Sequence, residues 1–156
     1  MISLIILGII FLYAIISYNT LTRKRNNVDN AFGSIDVMLK KRFDLIPNLV
    51  ATVQQYAKHE EETFTKITNL RTKSYDSLTA EEKADFDKTF TAAKNNFFMV
   101  AENYPALRSS ENFMQLQKTL NETEEQLSAS RRTYNAAVTD YNNSVMTFPS
   151  NIIANL

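Results

Sequence analysis

The first charged side chain in this sequence is Arg23, and the stretch Ile2 to Ser17 (ISLIILGIIFLYAIIS) is apolar apart from two serines, with Tyr13 and Tyr18 towards its far end. At about 1.5 Å per helical residue, the run extended through Leu21 covers roughly 30 Å, the thickness of a bilayer's hydrocarbon core. A cleaved signal peptide requires positive charge before the apolar run and a small-residue cleavage site after it. Here the positive cluster Arg23, Lys24, Arg25 follows the run instead. The positive-inside rule then places the carboxy-terminal side in the cytoplasm and Met1 outside. A buried core helix is the weakest reading, because the chain offers no comparably apolar partner segment. Residues 1–21 are therefore predicted to be a transmembrane anchor and residues 22–156 a cytoplasmic body. Arg23, Lys24 and Arg25 would meet the inner leaflet, where each basic residue is worth about 1 kcal/mol against anionic lipid; setting topology alone also accounts for them.

Beyond the anchor the chain is patterned for helix. Two Gly and three Pro in the whole chain leave little for hairpins and tight turns. Leu21, Val28, Phe32, Ile35 and Leu39 form a stripe at helical spacing, which predicts that the anchor helix continues out of the membrane to about Phe43. Gly33 lies within it at a cost of about 1 kcal/mol relative to Ala, and close packing against a neighbour is the expected reason. Pro47 predicts an end or bend near Asp44-Leu45-Ile46-Pro47, with Asp44 as N-cap of the next helix. A second stripe, from Leu49 and Val50 through Val53, Tyr56, Phe64, Ile67 and Leu70, predicts a helix to about Lys73, followed by a break at Ser74 to Ser77.

Thr79-Ala80-Glu81-Glu82 has the spacing of a capping box. After it Phe86, Phe90, Ala93, Phe97, Val100, Tyr104 and Leu107 recur at alternating steps of four and three, a pattern shared with coiled coils, and Pro105 predicts the end near Tyr104. Ser109 to Asn112 opens a last, long helix whose stripe of Phe113, Leu116, Leu120, Leu127, Tyr134, Val138, Tyr141, Val145 and Phe148 runs to Pro149. Polar Thr123 and Ser130 interrupt it, as loose filling or as a buried polar contact that fixes register. The expected architecture is all-α: an amino-terminal transmembrane helix continuing into an antiparallel four-helix bundle of long helices.

The inventory for chemistry is thin. No Cys and a single His remove disulfides, thiolate nucleophiles and Cys- or His-rich metal sites. A di-iron bundle needs paired Glu-x-x-His motifs, but Tyr56 stands three residues before His59. His59-Glu60-Glu61-Glu62-Thr63 starts like a zincin motif, but Thr63 occupies the place of the second ligand. Glu60 to Glu62 and Glu122, Glu124 and Glu125 sit among Lys66, Lys118, Arg131 and Arg132, the pattern of a salt-bridged solvated face. No nucleophile and base combine in a familiar motif, and no glycine-rich loop is present to hold phosphate. The 17 Lys and Arg balance 17 Asp and Glu, leaving no global field for nucleic acid. No catalytic, cofactor-binding or metal-ligating residue is assigned, and no cofactor is expected.

Tyr18-Asn19, the string Ser34-Ile35-Asp36-Val37-Met38-Leu39-Lys40-Lys41-Arg42-Phe43-Asp44-Leu45-Ile46-Pro47-Asn48-Leu49-Val50, and Tyr56-Ala57-Lys58-His59-Glu60 resemble the LemA family. The likeness extends through Tyr104-Pro105-Ala106-Leu107, Glu111-Asn112-Phe113, Leu116-Gln117, Arg131-Arg132-x-Tyr134-Asn135, Val138, Tyr141-Asn142 and Phe148-Pro149-Ser150-Asn151-Ile152-Ile153-Ala154. The resemblance implies a membrane helix with its tail outside, a cytoplasmic antiparallel bundle and a bacterial plasma membrane; it implies no activity. Family members are known chiefly as membrane-anchored helical proteins. Some are encoded near membrane peptidases, and a relative belongs to the magnetosome membrane system. Two features depart from the family pattern. Phe32 stands where Trp is usual, expected to be a mild core change, and the sequence stops at Leu156 where relatives commonly continue into a Gly-Phe and Tyr-Phe-Glu tail.

The expected function is a non-enzymatic, membrane-anchored scaffold or adaptor. Its expected partners are inner-leaflet lipid, further copies of itself and a membrane peptidase or other membrane protein, with no nucleic acid. Gly8 is the small residue at which anchors could meet. Asp36, Lys40, Lys41, Arg42 and Asp44, read as exposed, form the candidate partner surface, with capping and turning of the first helix as the competing role. A membrane stress or envelope sensor working by helix shifts is the alternative function, and a hydrolase or metal enzyme the least supported.

Overall fold

The computed structural model describes residues 1–56, 65, 68 and 74–156. The predicted continuation of the second helix to Lys73, with Phe64, Ile67 and Leu70, falls outside them, as do His59 and Glu60 to Glu62. No strand occurs among the described residues, so the all-α class holds. The chain divides into two compact units, one of residues 1–35 with 128–156 and one of residues 36–127. No composition shift marks these boundaries, because both fall inside long helices.

Helix α1 runs unbroken from Ile2 to Asp44, as the stripe beyond the apolar run predicts. One residue, Leu45, separates it from α2 (Ile46–Tyr56). Pro47 lies in the first turn of α2, where a missing N–H removes no helical bond. Asp44, expected to cap α2, is instead the last residue of α1. A single 3-10 turn (Tyr75–Ser77) occupies the predicted break. Helix α3 (Ala80–Ala101) opens on a complete capping box: the Glu82 amide donates to Thr79 Oγ1 at 3.2 Å and the Thr79 amide to Glu82 Oε2 at 2.8 Å. It ends three residues before the predicted Tyr104, and Pro105 starts the short α4 (Pro105–Arg108). Helix α5 (Glu111–Met146) is entered through Ser110, whose hydroxyl accepts the Phe113 amide at 3.3 Å, and α6 (Ser150–Ala154) comes after it.

The second unit holds the main core. Leu39 and Phe43 of α1, Ile46 and Leu49 of α2, Phe86, Phe90, Ala93, Phe97 and Ala101 of α3, Leu107 of α4, and Phe113, Leu116, Leu120 and Leu127 of α5 are all buried. Phe43, Tyr75, Phe86 and Phe90 form a run of tilted rings, with Phe43 and Phe86 centroids 5.6 Å apart, and Phe97, Phe98 and Phe113 form a second. Such pairs add about 0.5–1.5 kcal/mol each beyond the area they bury. Thr123 is fully buried, and its hydroxyl donates to the Thr119 carbonyl of its own helix at 2.7 Å. At Thr123 the polar break in the stripe is thus satisfied within its own helix.

Contacts within this unit set the directions. Asp36 meets Lys83 and Arg42 meets Asp87, so α1 and α3 run parallel. Arg42 meets Glu124, while Leu45, Asn48, Ala51 and Thr52 share a cleft with Asn112, Gln115, Leu116 and Thr119. Helices α1 and α2 therefore lie one after the other along α5, which runs the opposite way. The proline marks a bend between two consecutive helices and not a hairpin corner.

In the first unit α1 and α5 are antiparallel: Lys24 pairs with Asp140 and Phe32 with Tyr134, whose ring centroids are 5.9 Å apart. Ala31 and Ser17 are buried here, while Phe32 is 52% exposed, so it is no core residue. A Cβ added at Gly33 would meet nothing within 4 Å, so the expected close packing is not made with another part of this chain; Gly8 is likewise open within the chain. The apolar start of α1 stays bare, from Ile2 through Ile16. It is the one helix among the described residues long and apolar enough to cross a membrane.

Candidate functional site

The most distinctive stretch of the sequence, Asp36 to Asp44, is the last part of α1, and the second unit gathers two charged groups around it. In the first group Arg42 is only 2% exposed. Its guanidinium donates to Asp87 of α3 and to Glu124 of α5, lies 3.5 Å from the Thr91 hydroxyl, and covers the face of Phe90 at 5.5 Å. Lys94 of α3 reaches the same Glu124 oxygen at 3.0 Å. A buried arginine is tolerable only with its charge matched and its donors used, and two carboxylates from two other helices supply both. Burial pushes the Glu124 carboxyl up, but the bond from Lys94 and the charge of Arg42 outweigh it and hold the carboxyl below its ordinary range.

The second group is nearer the surface. Lys83 donates to Asp36 at 2.7 Å and the Tyr75 hydroxyl donates to the same carboxylate at 2.8 Å. Lys83 and Lys40 lie over the Tyr75 ring at 4.6 and 5.7 Å, and Lys40 pairs with Asp76 at 2.8 Å. Lys83's bond lowers the Asp36 pKa, Asp76's bond raises that of Lys40, and burial pushes the Tyr75 phenol well above its ordinary value. Tyr75 is buried and ties the 3-10 turn to α1. In both groups each acid named faces a cation, an arrangement that fixes helices to one another.

Four of the five candidate surface residues remain accessible to some degree: Lys40, Lys41 and Asp44 are exposed, and Asp36 is half-buried. Lys41 reaches Gln126 at 3.3 Å. Arg42 is the correction, because it points into the second unit. Its spacing carries the signal: Arg42 lies three residues after Leu39 and four before Ile46, on the apolar stripe itself. Asp87, Lys94 and Glu124 adjoin core positions Phe86, Ala93 and Thr123, so each helix brings a charge to the edge of the core. Glu124 is thereby removed from the expected solvated face; that description fits Lys118 and Glu122, an exposed pair at 4.0 Å within α5. Of the basic cluster in the first unit, Arg23 and Arg25 are exposed, whereas Lys24 is half-buried and bonds Asp140 at 2.7 Å and Ser144 at 2.8 Å.

Residues 31–156 match the profile of the LemA family. The chain belongs to the LemA family. The matched region takes in the whole of the second unit and begins after the apolar run. Protein LemA of Metamycoplasma hominis is 28% identical over 95% of this chain and 68% of its own length. Magnetosome proteins MamQ 1 and MamQ 2 of Paramagnetospirillum magneticum are each 23% identical over 88% of this chain and 60% of their own length. The LemA resemblance carried by Ser34 to Val50 thus holds, and that string is where the structure places Arg42, Asp36 and the bend at Pro47.

Proposed function

We propose that this chain is a non-enzymatic, single-pass, membrane-anchored scaffold or adaptor of the LemA type. It organises or assists other membrane proteins, a membrane peptidase among them, and associates with copies of itself. Residues 1–21 cross a bacterial plasma membrane with Met1 outside, Arg23 and Arg25 rest on the inner leaflet, and the remaining helices form a helical bundle in the cytoplasm. One observation carries the reading. Helix α1 passes without a break from a bare apolar run into the Arg42 network, so the segment that would enter the bilayer is also a structural member of the charged body. Relatives named as magnetosome proteins support an organising role.

The exposed part of the candidate surface tests it. Lys40 and Lys41 make exposed, solvent-screened polar contacts that add little to stability, so charge reversal leaves the fold in place. Full-length protein is purified in mild detergent, retained proteins are quantified by mass spectrometry, and the native mass is measured. Wild type is expected to retain a defined membrane protein or to form a homo-oligomer, and Lys40→Glu with Lys41→Glu to lose the retained protein at unchanged helicity. Unaltered retention removes this surface; a bare wild-type monomer removes the scaffold reading.

A further inference from the structure

Charge disappears from both helices of the first unit at the same place. On α1 nothing is charged among side chains 1–22, and on the facing segment of the unit no side chain is charged after Asp140, in residues 141–156. The two boundaries are joined by Lys24 and Asp140 at 2.7 Å. Beyond that pair the two uncharged segments lie against each other: Ser144 and Ser150 line one cleft with Tyr13, Ile16, Ser17, Thr20 and Leu21. Tyr13 is roughly 16 Å from Lys24 along the helix axis, at about 1.5 Å per residue.

We propose that the carboxy-terminal corner, residues 141–156, is a second membrane contact, a wedge lying in the inner-leaflet boundary beside α1. The proposal rests on the anchor reading above. If α1 crosses the bilayer up to Leu21, whatever packs on Tyr13 to Leu21 lies at the depth of lipid, and the outward face of the corner meets lipid and not a soluble partner. The corner exposes large apolar side chains: Met146 and Phe148 are each 75% exposed and Ile152 is 53% exposed, beside exposed Thr147 and Asn155. The hydroxyls are already bonded to backbone, Ser144 to Asp140, Thr147 to Asn143, and Ser150 to both Ser144 and Thr147, which lowers the cost of leaving water. Exposed Asn142 and Asn143 keep the wedge at the headgroup and acyl boundary and away from the hydrocarbon centre.

The chain has no Trp, so one introduced Trp is a clean depth probe. Full-length Phe148→Trp, Tyr13→Trp and Phe32→Trp are reconstituted separately into phosphatidylcholine–phosphatidylglycerol vesicles with and without brominated acyl chains. Phe148→Trp and Tyr13→Trp are expected to show blue-shifted emission and to lose most of it to bromolipid, while Phe32→Trp, on the charged side of Lys24, keeps its emission. Quenching at Tyr13 without quenching at Phe148 overturns the wedge and leaves the anchor standing. No quenching at either overturns both, and quenching at Phe32 as well overturns the Lys24–Asp140 boundary. Ile152→Trp repeats the measurement should Phe148→Trp lose helicity.

Discussion

Arg42 is a long cation on an apolar stripe, and its neighbours explain how the chain tolerates it. Asp87 and Glu124 come from two different helices, so one guanidinium specifies how three helices meet. Breaking a buried pair by removing one partner usually costs about 3–5 kcal/mol; here the low end applies, because Glu124 remains 41% exposed and keeps Lys94. Arg42→Met, which preserves volume, is expected to destabilise the protein by about 3 kcal/mol in thermal unfolding of the full chain in mild detergent. One carboxylate from each charged group sets an acid limb. Glu124 and Asp36 are held below the ordinary carboxylate range in the folded chain, so the unfolded chain binds protons more readily as pH falls through about 4. Their contribution is complete above that range and is lost as pH drops towards their folded values. The limb should be shallower in Arg42→Met, in which Glu124 keeps only Lys94, and identical limbs would show that Arg42 does not act through Glu124. The position of Arg42 was legible from its spacing to Leu39 and Ile46. The identity of its partners was not, since Asp87 and Glu124 lie far away in sequence and only the packing of α3 and α5 brings them together.

At the scale of elements, local chemistry was readable wherever it was local. The Thr79 capping box, the strict Phe86 to Phe97 stripe and the Ser110 entry to α5 each depend on residues within one or two turns, and each is found. Direction was not readable at Pro47, because a proline only ends a ladder of bonds and says nothing about where the chain goes next. The relation of α2 to α1 is a tertiary choice, seen where Asn48, Ala51 and Thr52 share a cleft with Gln115, Leu116 and Thr119 of α5. Gly33 shows the same limit: a glycine in a helix is consistent with close approach, yet its surroundings here are open. Gly33→Ala is therefore expected to stabilise the folded chain by about 0.5–1 kcal/mol, the usual gain in a helix interior. A loss of stability, or a lower native mass in mild detergent, would instead place another chain against this position.

At the scale of the whole molecule, the apolar run and the family string Ser34 to Val50 were legible from sequence. The division at Ile35 and Leu127 was not, because helices α1 and α5 continue through it with no change of composition. The matched charge boundary at Lys24 and Asp140 also needed the structure, since it joins residues more than a hundred positions apart. The proposed anchor and its orientation are the foundation on which both the scaffold reading and the carboxy-terminal wedge stand. The absence of native cysteine allows them to be mapped with single introduced thiols. Ser3→Cys and exposed Ser109→Cys are each made in the full chain, treated in intact cells with a membrane-impermeant maleimide, and followed by intact-mass measurement of the purified protein. The predicted result is an uncleaved chain in the membrane fraction, labelled at position 3 from outside and at position 109 only after lysis. A chain shortened at its amino terminus, or labelling of position 109 in intact cells, would contradict the anchor and its orientation.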